Sequence, residues 1–402
     1  MINSAYIVSG CRTAIGNFGG SLSTIRPDDM AAFVLKALLA QSPGLDPEAI
    51  ADVILGCANQ AGEDNRNVAR MASLLAGLPV SVPAETVNRL CASGLSAVIA
   101  AARAIRCGDG DVLVAGGVES MTRSPWIVSK TSTPFGRDAQ MFDSSFGWRF
   151  VNPLMKEKFG VDAMGETAEN LVDMHHISRD DQDKFAFWSQ RKALQAQQKG
   201  RLAKEIVSFE IPQKKGEAIT FNSDEFIKPN TTVEGLSKLK PSFRKDGSVT
   251  AGNASGLNDG AAALLLSNEA GIKSFGLKPL ARMVTMAAVG VEPRIMGIGP
   301  VKASHLALQK AGLTLDQMDV IELNEAFAAQ SLAVTRSLGL SDEDSRINPN
   351  GGAIALGHPL GMSGARIAFS AALELQERNL RYALVTMCVG VGQGYALILE
   401  KA

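Results

Sequence analysis

The feature of this sequence that most constrains its fold is an internal repeat. Asp52-Val53-Ile54 opens a short apolar run early in the chain, and Asp319-Val320-Ile321 opens another near its end. Cys91 and His358 follow these two aspartates at the same distance, 39 residues. Both lie in turns of small residues that lead into a predicted helix. The matched spacing indicates a duplicated unit.

Each of these two residues is followed by the same order of predicted elements. After Cys91 the apolar positions have helical spacing up to a glycine suited to a helix end, and a strand-like run follows: Leu95, Val98, Ile99, Ala102, Ile105, Gly108 and Asp111–Ala115. After His358 the corresponding positions are Ile367, Ala371, Leu373, Leu375 and Tyr382–Cys388. Helices and strands that alternate in both halves predict a layered α/β architecture.

The chain between the two halves has a different texture. From about Thr122 to Val249, Pro, Gly and Lys are frequent and long apolar runs are few. We therefore predict three parts: residues 1–121 with 250–271 form the first half, 122–249 an inserted loop domain, and 272–402 the second half. Most lysines of the insertion are expected on a solvated surface, with a few available to the phosphates of a nucleotide ligand.

The overall charge excludes several classes of partner. The 402 residues include 40 Lys and Arg against 41 Asp and Glu, and 46% are hydrophobic. A net charge of -1 gives no global attraction to nucleic acid or to an anionic membrane. The N-terminal residues lack the pattern of a signal peptide, and no run of eighteen apolar residues occurs. We expect a soluble cytoplasmic protein.

Five cysteines are scattered through the chain without C-x-x-C spacing. An odd number without paired spacing argues against a disulfide framework and against a zinc site. We expect Cys11, Cys57 and Cys107 to be small buried hydrophobic residues. Cys91 and Cys388 are the candidates for chemistry.

The surroundings of Cys91 suit a nucleophile. At the start of the predicted helix, unpaired backbone N–H groups and the helix dipole stabilise a thiolate. The alternative is an inert buried thiol. His358 occupies the equivalent position of the second half, so an approximate two-fold relation would place the two residues at one cleft. A cysteine facing a histidine is a nucleophile with its base.

Two further segments supply candidate groups. Cys388 ends a predicted strand and precedes a glycine-rich hairpin with Gly390, Gly392 and Gly394, whose N–H groups are suited to an oxyanion. Asn324 lies in the matching loop after the Asp319 strand. On its own, Asn324 would be interpreted as a helix N-cap.

Four segments occur in an order and spacing that resemble the thiolase family: Asn88-Arg-Leu-Cys-Ala-Ser-Gly, Asn324-Glu-Ala-Phe, Gly357-His-Pro-Leu-Gly and Cys388-Val-Gly-Val-Gly-Gln-Gly. The resemblance covers nearly the whole chain. It implies a thiolase fold, in which two duplicated αβα halves form five layers, αβαβα, with an inserted loop domain. It also implies a homotetramer built from dimers.

The roles that the resemblance implies are those of an acetyl-CoA C-acyltransferase. Cys91 becomes acylated, His358 activates it, and Cys388 exchanges the proton on the acetyl α-carbon. Asn324 would hold a water that forms one oxyanion hole with His358, and the N–H groups of Cys91 and Gly390 would form the second. Coenzyme A is a substrate, and the scheme calls for no metal or redox cofactor.

The same resemblance places coenzyme A contacts at Lys228, Phe243, Ser255 and Met164. Ala163 stands where many acetoacetyl-CoA thiolases have histidine, and a smaller residue there would enlarge the acyl pocket.

Three stretches of the sequence bear on the substrate. They resemble the 3-oxoadipyl-CoA thiolases of bacterial aromatic catabolism: Val53–Asn67, Met141–Asp143 and Gly147–Met155. Arg149 is a candidate partner for the far carboxylate of such a substrate, or else forms a salt bridge within the insertion.

Three alternatives stay open at this point. An acetoacetyl-CoA thiolase would use the same groups. A decarboxylating ketoacyl synthase would normally carry histidine or asparagine in the place of Cys388. An inactive thiolase-like lipid carrier would not need all four positions intact.

Overall fold

The computed structural model of the chain describes residues 3–402. Its first part, before the insertion, contains five strands and three helices in alternation, as the hydrophobic pattern predicts. They are β1 (Tyr6–Arg12), β2 (Gly16–Asn17), α1 (Pro27–Ala40), β3 (Ile50–Gly56), α2 (Val68–Leu75), β4 (Ala84–Val87), α3 (Ser93–Cys107) and β5 (Val112–Ser120).

The chain leaves the main sheet after β5 and returns with β10. The intervening segment consists of short strands and helices: β6 (Trp126–Val128), β7 (Met141–Asp143), α4 (Pro153–Phe159), α5 (Met164–His175), α6 (Arg179–Gln198), β8 (Phe209–Ile211), β9 (Ile219–Phe221) and α7 (Val233–Ser237). The strands of this segment form two separate hairpins, β6–β7 and β8–β9.

The remaining elements complete the first half and form the second. They are β10 (Asn258–Ser267), α8 (Glu269–Phe275), β11 (Ala281–Gly290), α9 (Gly299–Ala311), β12 (Val320–Leu323), α10 (Ala328–Ser337), α11 (Ala353–Leu356), α12 (Leu360–Glu377), β13 (Tyr382–Val389) and β14 (Gln393–Lys401).

Strand pairing confirms the duplication. In the first half β3 pairs in parallel with β4 and β5, β5 pairs antiparallel with β10, and β10 with β1. In the second half β12 pairs in parallel with β13, and β13, β14 and β11 follow antiparallel. An isolated parallel bridge between Ile321 and Ile347 stands where β4 stands in the first half. Pairing of β1 with β11 joins the halves into one sheet of ten strands in the described chain.

The helices that follow Cys91 and His358 form the central layer. Helices α3 and α12 pack on each other and share one buried cluster with residues of both halves, including Leu95, Val98, Ile367 and Ala371. On the opposite face of the first half, α1 and α2 cover a second cluster, and α9 covers the corresponding face of the second half. This arrangement confirms the predicted thiolase fold, in which helices cover both faces of the sheet in each half.

The central helices begin and end where local chemistry dictates. Helix α3 ends at Gly108, whose φ of 86° is in the left-handed region that glycine adopts without strain. With the turn before it, Leu90–Cys107 is long and apolar enough to cross a membrane, but its apolar face is buried in the central layer. Cys107, the last residue of the helix, is exposed. Our expectation that Cys107 is buried is wrong, because Cys107 lies on the exposed side of the last turn of α3, whereas Ile105 of the same turn is buried.

Buried ion pairs fasten the insertion to the first half. The Arg12 guanidinium donates to Glu205 at 2.9 Å and to both oxygens of Asp224 at 2.7 and 2.9 Å. Although burial acts to raise it, Arg12 and Arg201 lower the pKa of Glu205 to about 2. Glu205 is therefore a charged partner of Arg12, which has no contact with water.

Candidate active site

Cys91 lies in a tightly held turn, Leu90–Ala92, directly before α3. Leu90 adopts a left-handed conformation, with φ of 47°, which is costly for a residue with a side chain. Asn88 Oδ1 accepts the N–H of Leu90 at 2.8 Å. The Ser93 hydroxyl accepts the N–H of Arg89 at 2.9 Å and donates to the Leu90 carbonyl at 2.7 Å. The helix begins two residues later than the prediction, so Cys91 stands at its entrance.

Opposing effects act on the Cys91 thiol. Burial raises its pKa, and backbone N–H groups of Gly390 and of Cys91 itself act in the opposite direction. Those N–H groups point their positive ends at the sulfur, so they also suit an oxygen that becomes negative beside it. Cys91 is partly exposed, and a ligand can reach it.

Gly390 and Cys388 lie beside Cys91, and both belong to the predicted hairpin between β13 and β14. Val391 and Gly392 have φ of 61° and 80°, the left-handed values that a tight hairpin requires. A β-carbon at Gly390 would lie 3.1 Å from Leu90 Cδ1, which shows how closely the hairpin approaches the Cys91 turn. Burial, and then the nearby Cys91, raise the pKa of Cys388. Cys388 is therefore a protonated thiol beside the first one.

His358 is a buried, neutral imidazole with its proton placed by its neighbours. Its Nδ1 lies 2.7 Å from Ser363 Oγ, and the Ser363 hydroxyl donates to the Pro359 carbonyl at 2.9 Å. Because the hydroxyl has one proton, Nδ1 carries the hydrogen of the first bond and Nε2 keeps a lone pair. Burial, and then the charge of Arg366, lower the pKa of His358 to about 3.

Asn324 faces the basic nitrogen of this histidine. Its Nδ2 lies 3.4 Å from His358 Nε2, and its backbone N–H donates to the Thr386 carbonyl at 3.0 Å. Asn324 Oδ1 is buried and has no hydrogen-bond partner among the described residues. The N-cap interpretation of Asn324 is wrong, because α10 starts only at Ala328, after Phe327.

Backbone contact between the halves brings the loops of Cys91 and His358 together. A β-carbon at Gly117 of β5 would lie 1.9 Å from the Gly361 carbonyl oxygen, and one at Gly94 of α3 would lie 2.4 Å from it. A β-carbon at Gly361 itself would lie 2.2 Å from the Val118 carbonyl oxygen. The loop that carries His358 therefore inserts into the first half, with glycines where the backbones touch.

Three of the residues predicted to contact coenzyme A lie in the insertion, and Ser255 follows it in the chain. Lys228 is exposed, with Nζ 4.9 Å from the centre of the Phe226 ring, at a cavity of about 310 Å³. Phe243 meets Phe327 edge to face, with ring centres 5.9 Å apart. The Ser255 backbone N–H donates to the Ala326 carbonyl at 3.0 Å.

Met164 starts α5 and packs in the same apolar cluster as Cys388. Its sulfur would lie 3.9 Å from a β-carbon at Gly390. Ala163, directly before it, is exposed and starts the helix without a side-chain cap. Arg149 is half-buried in the insertion and forms no ion pair with a described residue, so the salt-bridge interpretation of Arg149 is wrong.

Three residues of the site escaped the sequence analysis. Ser363 orients His358, and Asn258 Oδ1 accepts the His358 backbone N–H at 3.0 Å. Glu119, at the end of β5, accepts backbone N–H groups of the His358 loop and of the β3 loop. Ser363 lies only five residues after His358 in the same segment, and this closeness was a usable signal. Asn258 and Glu119 are distant in sequence from their partners and gave no local signal.

Among the described residues, Cys57, Asp64 and Glu119 have ligand atoms close enough to hold a metal ion. The protein already occupies these atoms. The Cys57 thiol donates to the Asn59 carbonyl at 2.8 Å, and an Asp64 oxygen accepts the Gly62 N–H at 3.0 Å. Burial raises the pKa of Cys57 well above its ordinary value, so it is a neutral thiol and a poor ligand. The cluster is part of the packing behind the site.

Comparison with known proteins agrees with this geometry. Residues 5–270 match the family described as thiolase, N-terminal domain, and residues 277–401 match thiolase, C-terminal domain. The chain is 60% identical over 400 residues to 3-oxoadipyl-CoA/3-oxo-5,6-dehydrosuberyl-CoA thiolase of Escherichia coli K12, and 55% identical over 401 residues to beta-ketoadipyl-CoA thiolase of Pseudomonas aeruginosa, with full coverage of both chains in each case. The crystal structure of the Bacillus anthracis acetyl-CoA acetyltransferase superposes with a TM-score of 0.92 at 41% identity, over 100% of this chain and 99% of that one. The chain belongs to the thiolase family and is an acyltransferase.

Proposed function

We propose that this enzyme cleaves 3-oxoadipyl-CoA with coenzyme A into succinyl-CoA and acetyl-CoA, and that it also catalyses the reverse condensation. The observation that carries the chemistry is the convergence of two thiols, Cys91 and Cys388, with a neutral imidazole. The choice of substrate is supported by the full-length relatives with 55 to 60% identity, which are named for 3-oxoadipyl-CoA, also written beta-ketoadipyl-CoA.

In the first half-reaction Cys91 is the nucleophile. His358 Nε2 takes the thiol proton, and the thiolate attacks the C3 carbonyl carbon. The bond between C2 and C3 then breaks, and its electron pair passes to C2, giving the enolate of acetyl-CoA. Cys388 donates its proton to that carbon, and the succinyl group remains bound to Cys91 as a thioester.

In the second half-reaction coenzyme A replaces acetyl-CoA. Its thiol loses a proton to the Cys388 thiolate and attacks the Cys91 thioester carbonyl. Cys91 leaves and regains its proton from His358, and succinyl-CoA departs. Because a covalent intermediate separates the two steps, ping-pong kinetics are expected.

Two sets of donors stabilise the oxyanions of these steps. The N–H groups of Gly390 and Cys91 face the thiol, and each such donor is typically worth about 3 kcal/mol of barrier. Asn324 has a free buried Oδ1 beside His358, which suits it to orient a water toward the second oxyanion. With these groups and coenzyme A, the reaction needs no metal or redox cofactor.

Coenzyme A is proposed to enter along Lys228, Phe243, Ser255 and Met164. The exposed ammonium of Lys228 suits a phosphate, and the Phe243 ring suits the apolar pantetheine arm. Met164 packs beside Cys388, so it contacts the end of the arm where the thioester lies.

Arg149 is the proposed partner of the substrate carboxylate. Its guanidinium is half-buried and forms no ion pair within residues 3–402, and a bidentate carboxylate would provide that partner. Arg149→Gln should raise KM for 3-oxoadipyl-CoA by at least about tenfold, because a loss of about 1.4 kcal/mol of binding free energy corresponds to a factor of ten. The KM for acetoacetyl-CoA, which has no far carboxylate, should not change. Arg137→Gln, in the same insertion and exposed, is the matched control. Equal effects on both substrates would reject Arg149 as the carboxylate partner.

The deciding experiment compares kcat/KM for 3-oxoadipyl-CoA and acetoacetyl-CoA with one preparation. A preference for 3-oxoadipyl-CoA supports the proposal. A preference for acetoacetyl-CoA favours the second candidate, an acetyl-CoA acetyltransferase like the protein from Bacillus anthracis. If neither is cleaved and the intact mass shows no acyl adduct on Cys91, the chain is a carrier.

We also propose a cytoplasmic homotetramer without nucleic-acid or membrane partners. The net charge of -1 supports the second part. Around the β6–β7 hairpin, large apolar side chains are exposed in a single chain: Trp126, Val128, Phe135, Met141 and Phe146. A patch of this kind favours contact with another copy. Phe135→Asp should lower the mass measured by light scattering, and an unchanged tetramer would exclude the hairpin from the interface.

A further inference from the structure

A continuous chain of hydrogen bonds runs from the His358 loop to the Cys91 turn through one buried carboxylate. Glu119 Oε2 accepts the N–H of Gly361 at 2.8 Å and the N–H of Ala58 at 3.0 Å. The Ala58 carbonyl accepts from Asn88 Nδ2 at 3.1 Å, and Asn88 Oδ1 accepts the N–H of Leu90 at 2.8 Å. Leu90 is the residue before Cys91.

The two ends of this chain are places where the backbone needs external support. At one end, Leu90 is held in a left-handed conformation that a leucine rarely adopts. At the other end, Gly361 belongs to the loop that begins α12 and carries His358 three residues earlier. Its carbonyl oxygen touches Gly117 and Gly94 of the first half. A shift at either end therefore changes the distance between nucleophile and base.

Glu119 is suited to this role because all its bonds come from backbone donors. A third, the N–H of Asn59, donates to Oε1 at 2.9 Å. Asn59 in turn donates through Nδ2 to Ser124 Oγ at 2.6 Å and to the Ser144 carbonyl at 3.1 Å, so the insertion joins the same network. Burial raises the pKa of Glu119 to about 7, while the three N–H groups act to lower it.

We infer that Glu119 is a positioning residue for the acyl transfer, which sets the relation of His358 to Cys91 through Gly361 on one side and Ala58 with Asn88 on the other. It touches neither substrate nor reacting atoms. The inference rests on the proposed roles of Cys91 and His358, and it concerns a residue outside both catalytic motifs.

Glu119→Gln is the direct test. The amide has the shape of the carboxylate, but its NH₂ group must face a backbone N–H in either orientation, so at least one bond of the network is lost. Since a displacement of about 1 Å costs roughly 100-fold, we expect kcat for thioester cleavage to fall about 10- to 100-fold, with KM changed less than about twofold.

Alkylation of Cys91 by iodoacetamide across pH separates positioning from other effects. If His358 is displaced, Cys91 loses the base that takes up its proton, so alkylation requires a higher pH and the apparent pKa of Cys91 rises. Loss of the Glu119 charge alone would lower that pKa, because the carboxylate near the thiol acts to raise it. A downward shift, or an unchanged profile with unchanged kcat, overturns the inference even if the melting temperature falls.

A second variant keeps the test valid if Glu119→Gln folds poorly. Asn88→Ala breaks the other end of the chain at an exposed side chain, and it should give the same upward shift. The double variant should lose no more activity than the worse single variant, because both cut one chain. Multiplicative losses would overturn the inference.

Glu205→Gln is the matched control. Glu205 is an equally buried glutamate in the Arg12 ion pairs, and its replacement should lower the melting temperature without moving the Cys91 alkylation profile. The wild-type alkylation profile does not depend on the substrate. If the wild-type enzyme cleaves no thioester, the proposed function fails. A rise in the apparent pKa of Cys91 in the variants would still support the positioning of His358 by Glu119.

Discussion

The Ser363 hydroxyl decides which nitrogen of His358 is the base, and Ser363→Ala tests this directly. In the structure the hydroxyl donates to the Pro359 carbonyl and accepts Nδ1–H at 2.7 Å, so Nε2 faces Asn324 with a lone pair. Without the hydroxyl, the buried Nδ1–H loses the acceptor that the structure gives it. His358 is only 5% exposed.

The size of the effect follows from that burial. A buried donor without a partner costs about 1 to 3 kcal/mol. The imidazole can escape this cost by turning its ring or by moving the proton to Nε2, and either change removes the base from Cys91. A barrier higher by this amount corresponds to a kcat lower by about 5- to 150-fold.

The assay is steady-state cleavage with the preferred 3-oxoacyl-CoA, combined with the rate of Cys91 acylation measured by intact mass. Both should fall together, because the same base serves both. Ser370→Ala is the matched control: Ser370 lies two turns further along α12, is also buried, and donates to Glu205 at 2.8 Å. The Ser370→Ala variant should be less stable than wild type and have an unchanged kcat. If Ser363→Ala retains kcat within about twofold, the assigned tautomer of His358 is wrong.

Three further predictions follow from other parts of the structure. Cys388→Ser should leave acylation of Cys91 measurable and slow carbon–carbon bond formation severely, because serine is a much weaker acid; equal wild-type rates for both half-reactions would exclude Cys388 as the proton donor. Gly117→Ala should lower kcat by more than about tenfold, because the new β-carbon would lie 1.9 Å from the Gly361 carbonyl oxygen and must displace the histidine loop; full activity would show that the loop tolerates the shift. Burial raises the pKa of Glu322 from 4.5 to about 8, so its contribution to stability is present below pH 4.5 and is lost as pH rises through about 8. The melting temperature of Glu322→Gln should therefore rise relative to that of wild type between pH 6 and pH 9. A difference that stays constant with pH would contradict the raised pKa of Glu322.

Local patterns predicted the elements of the site well. The apolar spacing after Cys91 and the stop at Gly108 correspond to α3, and the glycine-rich segment after Cys388 is the β13–β14 hairpin. These features depend on backbone geometry within a few residues, which the sequence encodes directly. The interpretation of Cys107 failed because free cysteines are usually buried, and residue type alone does not tell which side of the last helical turn is exposed.

The equal spacing of Cys91 and His358 also predicted that the two residues meet, because a duplicated fold places equivalent positions about one axis. The sequence could not identify the residues that set their distance. Glu119 bonds to Gly361, 242 residues away, and Asn258 bonds to His358, 100 residues away. Neither carries a periodic signal.

The sequence by itself thus determined the repeat, the helix and strand order, and the pair of landmark residues, all of which arise from short-range periodicity. Only the tertiary structure decided that Glu119 joins the loops of Cys91 and His358, that Asn324 faces His358, and that Arg149 forms no ion pair with a described residue. Contacts of this kind depend on how whole layers pack, and packing is decided by the sum of all buried surfaces rather than by any segment alone.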